Sequence, residues 1–329
     1  MCLYLQINFY MLIDQFGRKH TYLRISLTDA CNMRCSYCMP LSSYHGTKSN
    51  KLMTADEIFE LASIFVQNGI TKIRLTGGEP LLRKDFEQIL EKLATLPVNI
   101  GLTTNGLLLD KHFENLVKQN VKHINISLDS LDAEEFKRIT HTGQLEKIML
   151  HINHLLTLNI NVKINLVMLK NINEHAIIDF VKWTEKHPID VRFIEFMPFE
   201  KNDWNKEKVL GYETVLNTLA EQFDILKIED ETNSTSRNYT VKGYKGNFGF
   251  ITTVTNPFCE SCNRLRLTAD GKLRNCLFAK NETDLLTPLR NGENILELIQ
   301  QNVLSKAAAL GGMNDLHSNS DRSMIQIGG

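Results

Sequence analysis

Six cysteines in two groups of three carry the chemistry this sequence offers. Cys31, Cys35 and Cys38 stand in "TDACNMRCSYCMP" at spacing Cys-x3-Cys-x2-Cys, and Cys259, Cys262 and Cys276 stand in "NPFCESCNRLRLTADGKLRNCLFA". Clustered thiolates suit zinc or an iron–sulfur cluster. A closed structural zinc site takes four ligands. Three in one loop therefore imply either a distant fourth ligand, such as His45 for the first group, or a centre left open. A four-iron cubane on three thiolates has one iron free to chelate a small molecule and pass it an electron. The second group reads equally as an incomplete zinc ribbon or as another open cluster. Between its thiolates lie Arg264, Arg266, Lys272 and Arg274. Two arginines at i and i+2 of a strand point the same way, and guanidinium forks suit phosphate. The bland alternative is a solvated basic strand.

The rest of the chain must position these groups. It has 329 residues, 43% hydrophobic and 23% charged, enough to bury a sizeable core. The formal net charge of −1 gives no global pull toward nucleic acid or an acidic membrane, so any anion site must be a local group of cations. The apolar start, Met1 to Ile13, is too short for a membrane span and lacks the basic flank of an export signal. Met11 is an alternative start, which makes 1–13 an extension free to fray. The expected compartment is the cytoplasm, where free cysteines stay reduced. Cys2 falls in that extension.

From Tyr22 onward short apolar runs alternate with amphipathic ones. Strands are expected at Tyr22–Thr28, Ile70–Thr76, Val98–Thr103, His123–Leu128, Val162–Met168 and Val191–Phe196. Helices are expected at Thr54–Asn68, Asp85–Leu96, Lys111–Gln119, Leu145–Leu158 and Glu174–His187. Thr54 with Glu57 three residues on reads as a capping box, and Gly69 as a stop. This is the pattern of a parallel sheet covered by helices, curled into a partial barrel or left open, with its site at the C-terminal strand ends. After Pro198 the pattern changes. A helix is expected at Tyr212–Phe223, a Ser/Thr/Asn-rich linker at Asp230–Asn238 and a helix at Asn294–Ala309. The division is an extension over 1–13, a barrel over 14–229 and a cluster- and substrate-binding region over 230–329.

The first cysteine spacing, with Tyr37 before the last thiol, resembles the signature of the radical S-adenosylmethionine superfamily. "RLTGGEPLLR" (Arg74–Arg83) resembles its Gly-Gly-Glu-Pro segment. Together with "FGRKHTYLRISLTD", "GLTTNG", "INISLDSL", "RFIEFMP", the second cysteine group and the terminal "IGG", the chain from about Asp14 resembles the GTP 3′,8-cyclase family, which opens molybdenum cofactor biosynthesis. That resemblance implies a partial (β/α)6 TIM-like barrel with a C-terminal extension carrying a second cluster. It implies two [4Fe-4S] clusters, on Cys31, Cys35 and Cys38 and on Cys259, Cys262 and Cys276. It implies S-adenosylmethionine contacts at Tyr37, Gly78, Ser127 and Met197. It implies GTP contacts at Arg24, Arg74, Thr103, Lys163, Arg264 and Arg266, with Arg192 a further triphosphate candidate. In that family S-adenosylmethionine is cleaved reductively, a hydrogen leaves C3′ of GTP, and C3′ bonds to C8 to give (8S)-3′,8-cyclo-7,8-dihydroguanosine 5′-triphosphate. No side chain is assigned as a catalytic acid or base. The partners implied are GTP, an electron donor and the cyclic pyranopterin monophosphate synthase that follows, with no nucleic acid or membrane, in a monomer or homodimer. Ala30 departs from the basic residue usual there, and "HTG" at His141–Gly143 is atypical. The tail is expected to insert into the barrel as an extended segment anchored by Ile325 and Ile327, with Arg322 as a polar anchor. The rival readings are a radical enzyme that modifies a peptide and a non-catalytic zinc protein.

Overall fold

The computed structural model describes residues 11–38, 47, 49–200, 202–313 and 322–328. Six parallel strands form its centre: β1 (Tyr22–Ser26), β2 (Lys72–Thr76), β3 (Asn99–Thr104), β4 (His123–Ser127), β5 (Asn161–Met168) and β6 (Asp190–Glu195). Between them run α1 (Ala55–Gln67), α2 (Phe86–Leu93), α3 (Phe113–Lys118), α4 (Ala133–Thr140), α5 (Leu145–Thr157) and α6 (Ala176–Trp183). The capping box is present: Thr54 accepts from the Glu57 N–H, and the Glu57 carboxylate accepts from the Thr54 N–H. Helix α4 has no counterpart among the sequence expectations. It starts at an Asp132 cap, and its polar stretch hid a short buried stripe of Phe136 and Ile139.

The chain after Pro198 supplies helix α7 (Tyr212–Ala220), then both edges of the same sheet. Strands β7 (Ile225–Lys227), β8 (Arg237–Val241) and β9 (Asn247–Ile251) extend it beyond β6. Strands β10 (Arg264–Leu267), β11 (Lys272–Arg274) and β12 (Thr283–Asp284) extend it beyond β1. Strands β9 and β10 run parallel to their central neighbours, and the outer strands are antiparallel. The expected linker ends early, because Arg237 already opens β8. Helices α8 (Leu286–Arg290), α9 (Leu296–Leu304) and α10 (Met324–Ile327) follow.

Alternation along the strands decides where the core lies. Leu23, Ile25, Ile73, Leu75, Leu102, Ile124, Ile126, Val162, Ile164 and Val191 are buried in one core with Ile58, Phe65, Ile89 and Phe180 of the helices. The intervening residues are polar: Arg24, Arg74, Thr103, Asn125, Lys163 and Arg192. The sheet therefore has an apolar face under the helices and a polar inner face. That inner face is curled. Arg74, Arg264 and Tyr22 all act electrostatically on Arg192. Yet β6 is five strand spacings from β1, roughly 24 Å in a flat sheet at ~4.8 Å each.

The residues before β1 are packed. Leu12 is buried and donates its N–H to Asn68 O (3.3 Å). Asp14 binds Arg18 Nε at 2.6 Å and lies 3.3 Å from His20 Nε2. Residues 1–10, including Cys2, lie outside the described residues. Burial first, then the Lys306 charge, holds His20 down to about 3. An unfolded histidine takes up its proton near 6.5, so between these values the unfolded chain binds more protons and stability falls as pH drops. The expected contribution is ~1.4 kcal/mol per pH unit below 6.5. His20→Phe should flatten the pH dependence of the urea midpoint of metal-free protein between pH 6.5 and 5. An unchanged slope would show that His20 is not the group responsible.

Candidate functional site

The first cysteine group follows β1 directly. Its loop is pinned from two sides. The Gly78 and Glu79 N–H groups donate to Thr28 O (2.6 Å) and Ala30 O (2.8 Å). The Arg34 and Ser36 N–H groups donate to Thr140 O and Ile139 O at the end of α4. The glycine pair of "GGEP" is what lets these backbones meet: a Cβ on Gly77 would stand 2.4 Å from Thr28 O, and one on Gly78 2.3 Å from Ala30 O. Ala30 takes part through its carbonyl and leaves its side chain exposed, so the departure there costs no contact in this loop. Glu79 is fully buried and accepts from the Leu81 N–H, Thr104 Oγ1 and the Asn105 N–H, which fastens the ends of β2 and β3 together. Burial pushes it up to about 7.

Burial pushes the Cys31 thiol up to about 11 and Cys38 up to about 12; Cys35 is raised well above its ordinary value by burial, then by Asp129 and its two sister thiols. Thiols so placed keep their protons unless a metal replaces them. Cys31 Sγ already faces two donors, the Met33 N–H (3.4 Å) and Asn105 Nδ2 (3.8 Å). Hydrogen bonds to cluster sulfurs are a normal feature of iron–sulfur sites. Around this loop stand the residues expected to meet S-adenosylmethionine. Tyr37 donates to Asp129 Oδ2 (2.7 Å), and Asn202 Nδ2 reaches both Tyr37 O (3.3 Å) and Met197 O (2.9 Å). Ser127 ends β4, and Gly78 follows β2.

The second group stands at the other end of β1. Tyr22 pairs with Arg264 in the β1–β10 register, so Cys262, just before β10, and Cys276, just after antiparallel β11, both lie toward the N-terminal end of β1. The five-residue β1 spans roughly 16 Å at ~3.3 Å per residue, which sets the scale of the gap between the two groups. Burial raises Cys276, with Cys262 and Cys259 adding to it. Burial would raise Cys262 too, but the Lys306 and Arg264 charges outweigh it and leave that thiol lowered. The Leu310 N–H donates to Cys259 Sγ (3.3 Å). Arg18 braces this region, donating to Cys259 O, Ala308 O and Ala307 O. His45, the candidate fourth ligand, lies outside the described residues.

Between the groups the inner face is cationic. Arg24 pairs in register with Arg74 on one side and Arg266 on the other, placing three guanidinium groups abreast on adjacent strands. Like charges directly opposite destabilise a sheet. Burial first, then neighbouring arginines, push Arg24 and Arg192 down to about 10 and Arg266 down to about 9. They remain charged at neutral pH, and the depression comes first from burial and then from one another's charge. Gly101 makes room, since a Cβ there would lie 2.9 Å from an Arg74 guanidinium nitrogen.

Tyr22 is the hub of this layer. Its hydroxyl accepts from Arg74 Nε (2.7 Å), and Lys72 and Arg264 lie over its ring at 5.1 and 5.5 Å. Burial pushes the phenol up, but Arg74, Arg24, Lys72 and Arg264 together bring it down to about 7. The expected phosphate contacts are not equally available. Arg74 also donates to Leu102 O, Lys163 is paired to Asp190 (2.8 Å), and Arg266 donates to Gly328 O (2.8 Å). Thr103 Oγ1, Asn125 Oδ1, Asn165 Oδ1 and one Arg264 nitrogen are buried without a hydrogen-bond partner among the described residues.

Sequence reading missed Tyr22, Asn125, Asn165, Asp129 and Lys306. For the two asparagines a signal existed: a polar residue between aliphatic ones, as in "INIS" and "KINLV", marks the inner face of a strand. The tail corrects another expectation. Ile325 and Ile327 are buried, but in the single helical turn of α10 rather than on an extended segment, because Ser323 and Gln326 form a capping box that starts a turn. Ile327 packs with Phe199 and Phe278, against which Met197 and Cys276 also lie. Arg322 pairs with Asp270 and Glu282.

Comparison with known proteins finds relatives over nearly the whole chain. Residues 25–184 match the radical SAM superfamily, and residues 189–310 match Molybdenum Cofactor Synthesis C. Molybdenum cofactor biosynthesis protein 1 of Dictyostelium discoideum is 44% identical over 97% of this chain, which spans about half (52%) of that relative's length. The mitochondrial GTP 3′,8-cyclase of Arabidopsis thaliana is 44% identical over 97% of this chain and 84% of its own length. The GTP 3′,8-cyclase of Alkaliphilus oremlandii is 37% identical over 96% of this chain and 99% of its own. Streptococcus suis SuiB bound to S-adenosylmethionine shares the fold at 16% identity, with a TM-score of 0.59 over 83% of this chain and 67% of its own. Its identity to these relatives over nearly its whole length places the chain in the GTP 3′,8-cyclase family of the radical SAM superfamily.

Proposed function

We propose that this protein cyclises GTP between C3′ and C8, the opening reaction of molybdenum cofactor biosynthesis. The observation that carries the reading is the layer Arg266–Arg24–Arg74 between the two thiol groups. Guanidinium groups set abreast, Arg74 buried and Arg24 and Arg266 half-buried, call for a polyanion. A triphosphate there places its nucleoside within the space bounded by the thiol groups. A non-catalytic zinc protein has no use for such a layer.

Cys31, Cys35 and Cys38 would hold one [4Fe-4S] cluster, and Cys259, Cys262 and Cys276 the other. With S-adenosylmethionine bound, the first cluster supplies one-electron radical chemistry. The chain's own part is placement. Tyr37, Gly78, Ser127 and Met197 would line the S-adenosylmethionine site beside the first thiols. Arg24, Arg74, Lys163, Arg192, Arg264 and Arg266 would take the triphosphate, and Tyr22 holds their heads apart until it arrives. Thr103, Asn125 and Asn165 offer hydrogen-bonding atoms to the sugar or base. The division into a barrel over 14–229 and a second cluster region over 230–329 belongs to this reading. So do an external electron donor and the synthase that consumes the product. Six free thiols suit a reducing compartment such as the cytoplasm. Among the described residues no helix is long and apolar enough to cross a membrane.

The test is anaerobic reconstitution followed by GTP, S-adenosylmethionine and a reductant, with the cyclised triphosphate as readout. Loss of any first-group thiol, for example Cys35→Ala, should abolish 5′-deoxyadenosine formation. Cys276→Ala should leave some formation without GTP but no cyclised product. Wild-type 5′-deoxyadenosine from a first-group variant would overturn the first assignment, and unchanged product from Cys276→Ala the second.

Tyr22→Phe leaves Arg74 Nε without its acceptor. A hydrogen bond to a charged group is worth ~1.5–3 kcal/mol, so the expected rise in KM for GTP is roughly tenfold to hundredfold. Arg266→Ala should weaken GTP use by a similar factor and also reduce its sensitivity to added salt. Equal salt sensitivity in variant and wild type would count against a triphosphate role.

Gly328 has φ +81°, and a Cβ there would lie 2.8 Å from Ser26 Cβ. Gly328→Ala should therefore push the tail off Arg266 and lower cyclisation at matched iron content, with 5′-deoxyadenosine formation in the absence of GTP retained. Full cyclisation would show that the tail contact is dispensable.

A further inference from the structure

Lys306 is 2% exposed, in the turn after α9. Its ammonium donates to Cys262 Sγ (3.4 Å) and to Arg264 O (3.1 Å). Among the described residues no carboxylate lies within salt-bridge distance of it. The Asp14 carboxylate is paired with Arg18. The segment is held firmly, since Gln15 Nε2 donates to Lys306 O (3.1 Å) and Arg18 holds the next two carbonyls. A buried cation without a carboxylate is costly unless another negative charge compensates it. The sulfur of Cys262 is the acceptor at hand, and a neutral thiol is a weak one.

We infer that Lys306 is a positioning residue of the second thiol group, its fixed ammonium neutralising the Cys262 thiolate and raising the reduction potential of the iron–sulfur cluster held there. The inference rests on the proposed function's assignment of Cys259, Cys262 and Cys276 as cluster ligands. The physical reason is general: hydrogen bonds to cluster sulfurs and the local net charge set such potentials. Reduction adds a negative charge, and a cation beside a ligating sulfur favours the reduced form. Among the described residues the hydrogen-bond donors shown on the first group's sulfurs are neutral: backbone N–H groups and the Asn105 amide on Cys31, and the Tyr37 hydroxyl on Cys35. Lys306 would therefore make the second cluster easier to reduce than the same thiolates would without it.

The test compares Lys306→Met, Lys306→Arg and wild type after anaerobic reconstitution, by iron content and by redox titration followed by electron paramagnetic resonance. Wild type should hold about eight irons. Lys306→Met should shift the reduction equilibrium of one cluster at least tenfold toward the oxidised form, which for one electron is about 59 mV. The other cluster should be unmoved, and Lys306→Arg should stay near wild type. Loss of about four irons in Lys306→Met, but not in Lys306→Arg, would support the same role. If Lys306→Met fails to fold, Lys306→Gln, which keeps an N–H donor without the charge, replaces it in the comparison. Both potentials unchanged in the neutral variant, or an equal drop in Lys306→Arg, would overturn the inference. A wild type that loads only four irons would instead overturn the cluster assignment itself, and the inference with it.

Discussion

Three guanidinium groups abreast on β10, β1 and β2 form the constraint on which the rest of this molecule depends. Such an arrangement is unfavourable in itself, and three features make it tolerable. Gly101 leaves room for the Arg74 guanidinium. Tyr22 takes a hydrogen bond from Arg74 and lies within reach of four positive charges. The tail contributes the Gly328 carbonyl to Arg266. These are weak partners for so much charge, and none is a carboxylate on the inner face of β1 or β2. A protein built for stability alone would put acidic residues there. Keeping the layer short of negative charge leaves the binding free energy to the ligand.

The same layer explains why the inner face is polar at all. In a closed barrel the interior is a packed core filled mainly by branched apolar side chains. Here most apolar strand residues face the helix side, where Leu23, Ile73, Ile124 and Val162 meet the helices, while Val167, Ile194 and Ile251 stay in register with one another on the inner face. The curl of the sheet then encloses hydrogen-bonding side chains instead of a second core. The two thiol groups are at opposite ends of that enclosure because β10 runs parallel to β1, which puts its leading cysteines at the N-terminal end. One register, Tyr22 opposite Arg264, therefore fixes both the cation layer and the separation of the thiol groups.

Much of this was legible in the sequence because the signals were local. Cysteine spacing, the glycine pair, the Thr54 cap and the period-2 strands all act over a few residues, and each is found near its expected place. What was hidden depends on partners distant in the chain. Tyr22 looks like an ordinary strand aromatic until β2 and β10 bring cations to both sides of its ring. Lys306 is one lysine among many until the fold buries it against Cys262. Helix α4 was missed because its apolar stripe is narrow and its composition polar. The tail was misjudged because alternating isoleucines suit a strand and a single helical turn alike, and the capping residues decide between them.

Strand β1 finds its second neighbour only in β10. Asn263, just before β10, bonds Thr21, 242 positions away in the chain. Pairings of such long range are slow to form, because loop closure is unfavourable until they are made. During synthesis the first thiol loop, with its supports on β2 and α4, is complete long before either sheet edge arrives. The arginine face then stands open to solvent, flanked by unpaired edges of β1 and β6, which invite association with other chains. The first thiol loop can therefore form before the cavity closes, whereas the second thiol group cannot assemble until the last quarter of the chain has folded back. Maturation is ordered by topology, and a cell producing the protein has to protect its open edges for most of that time.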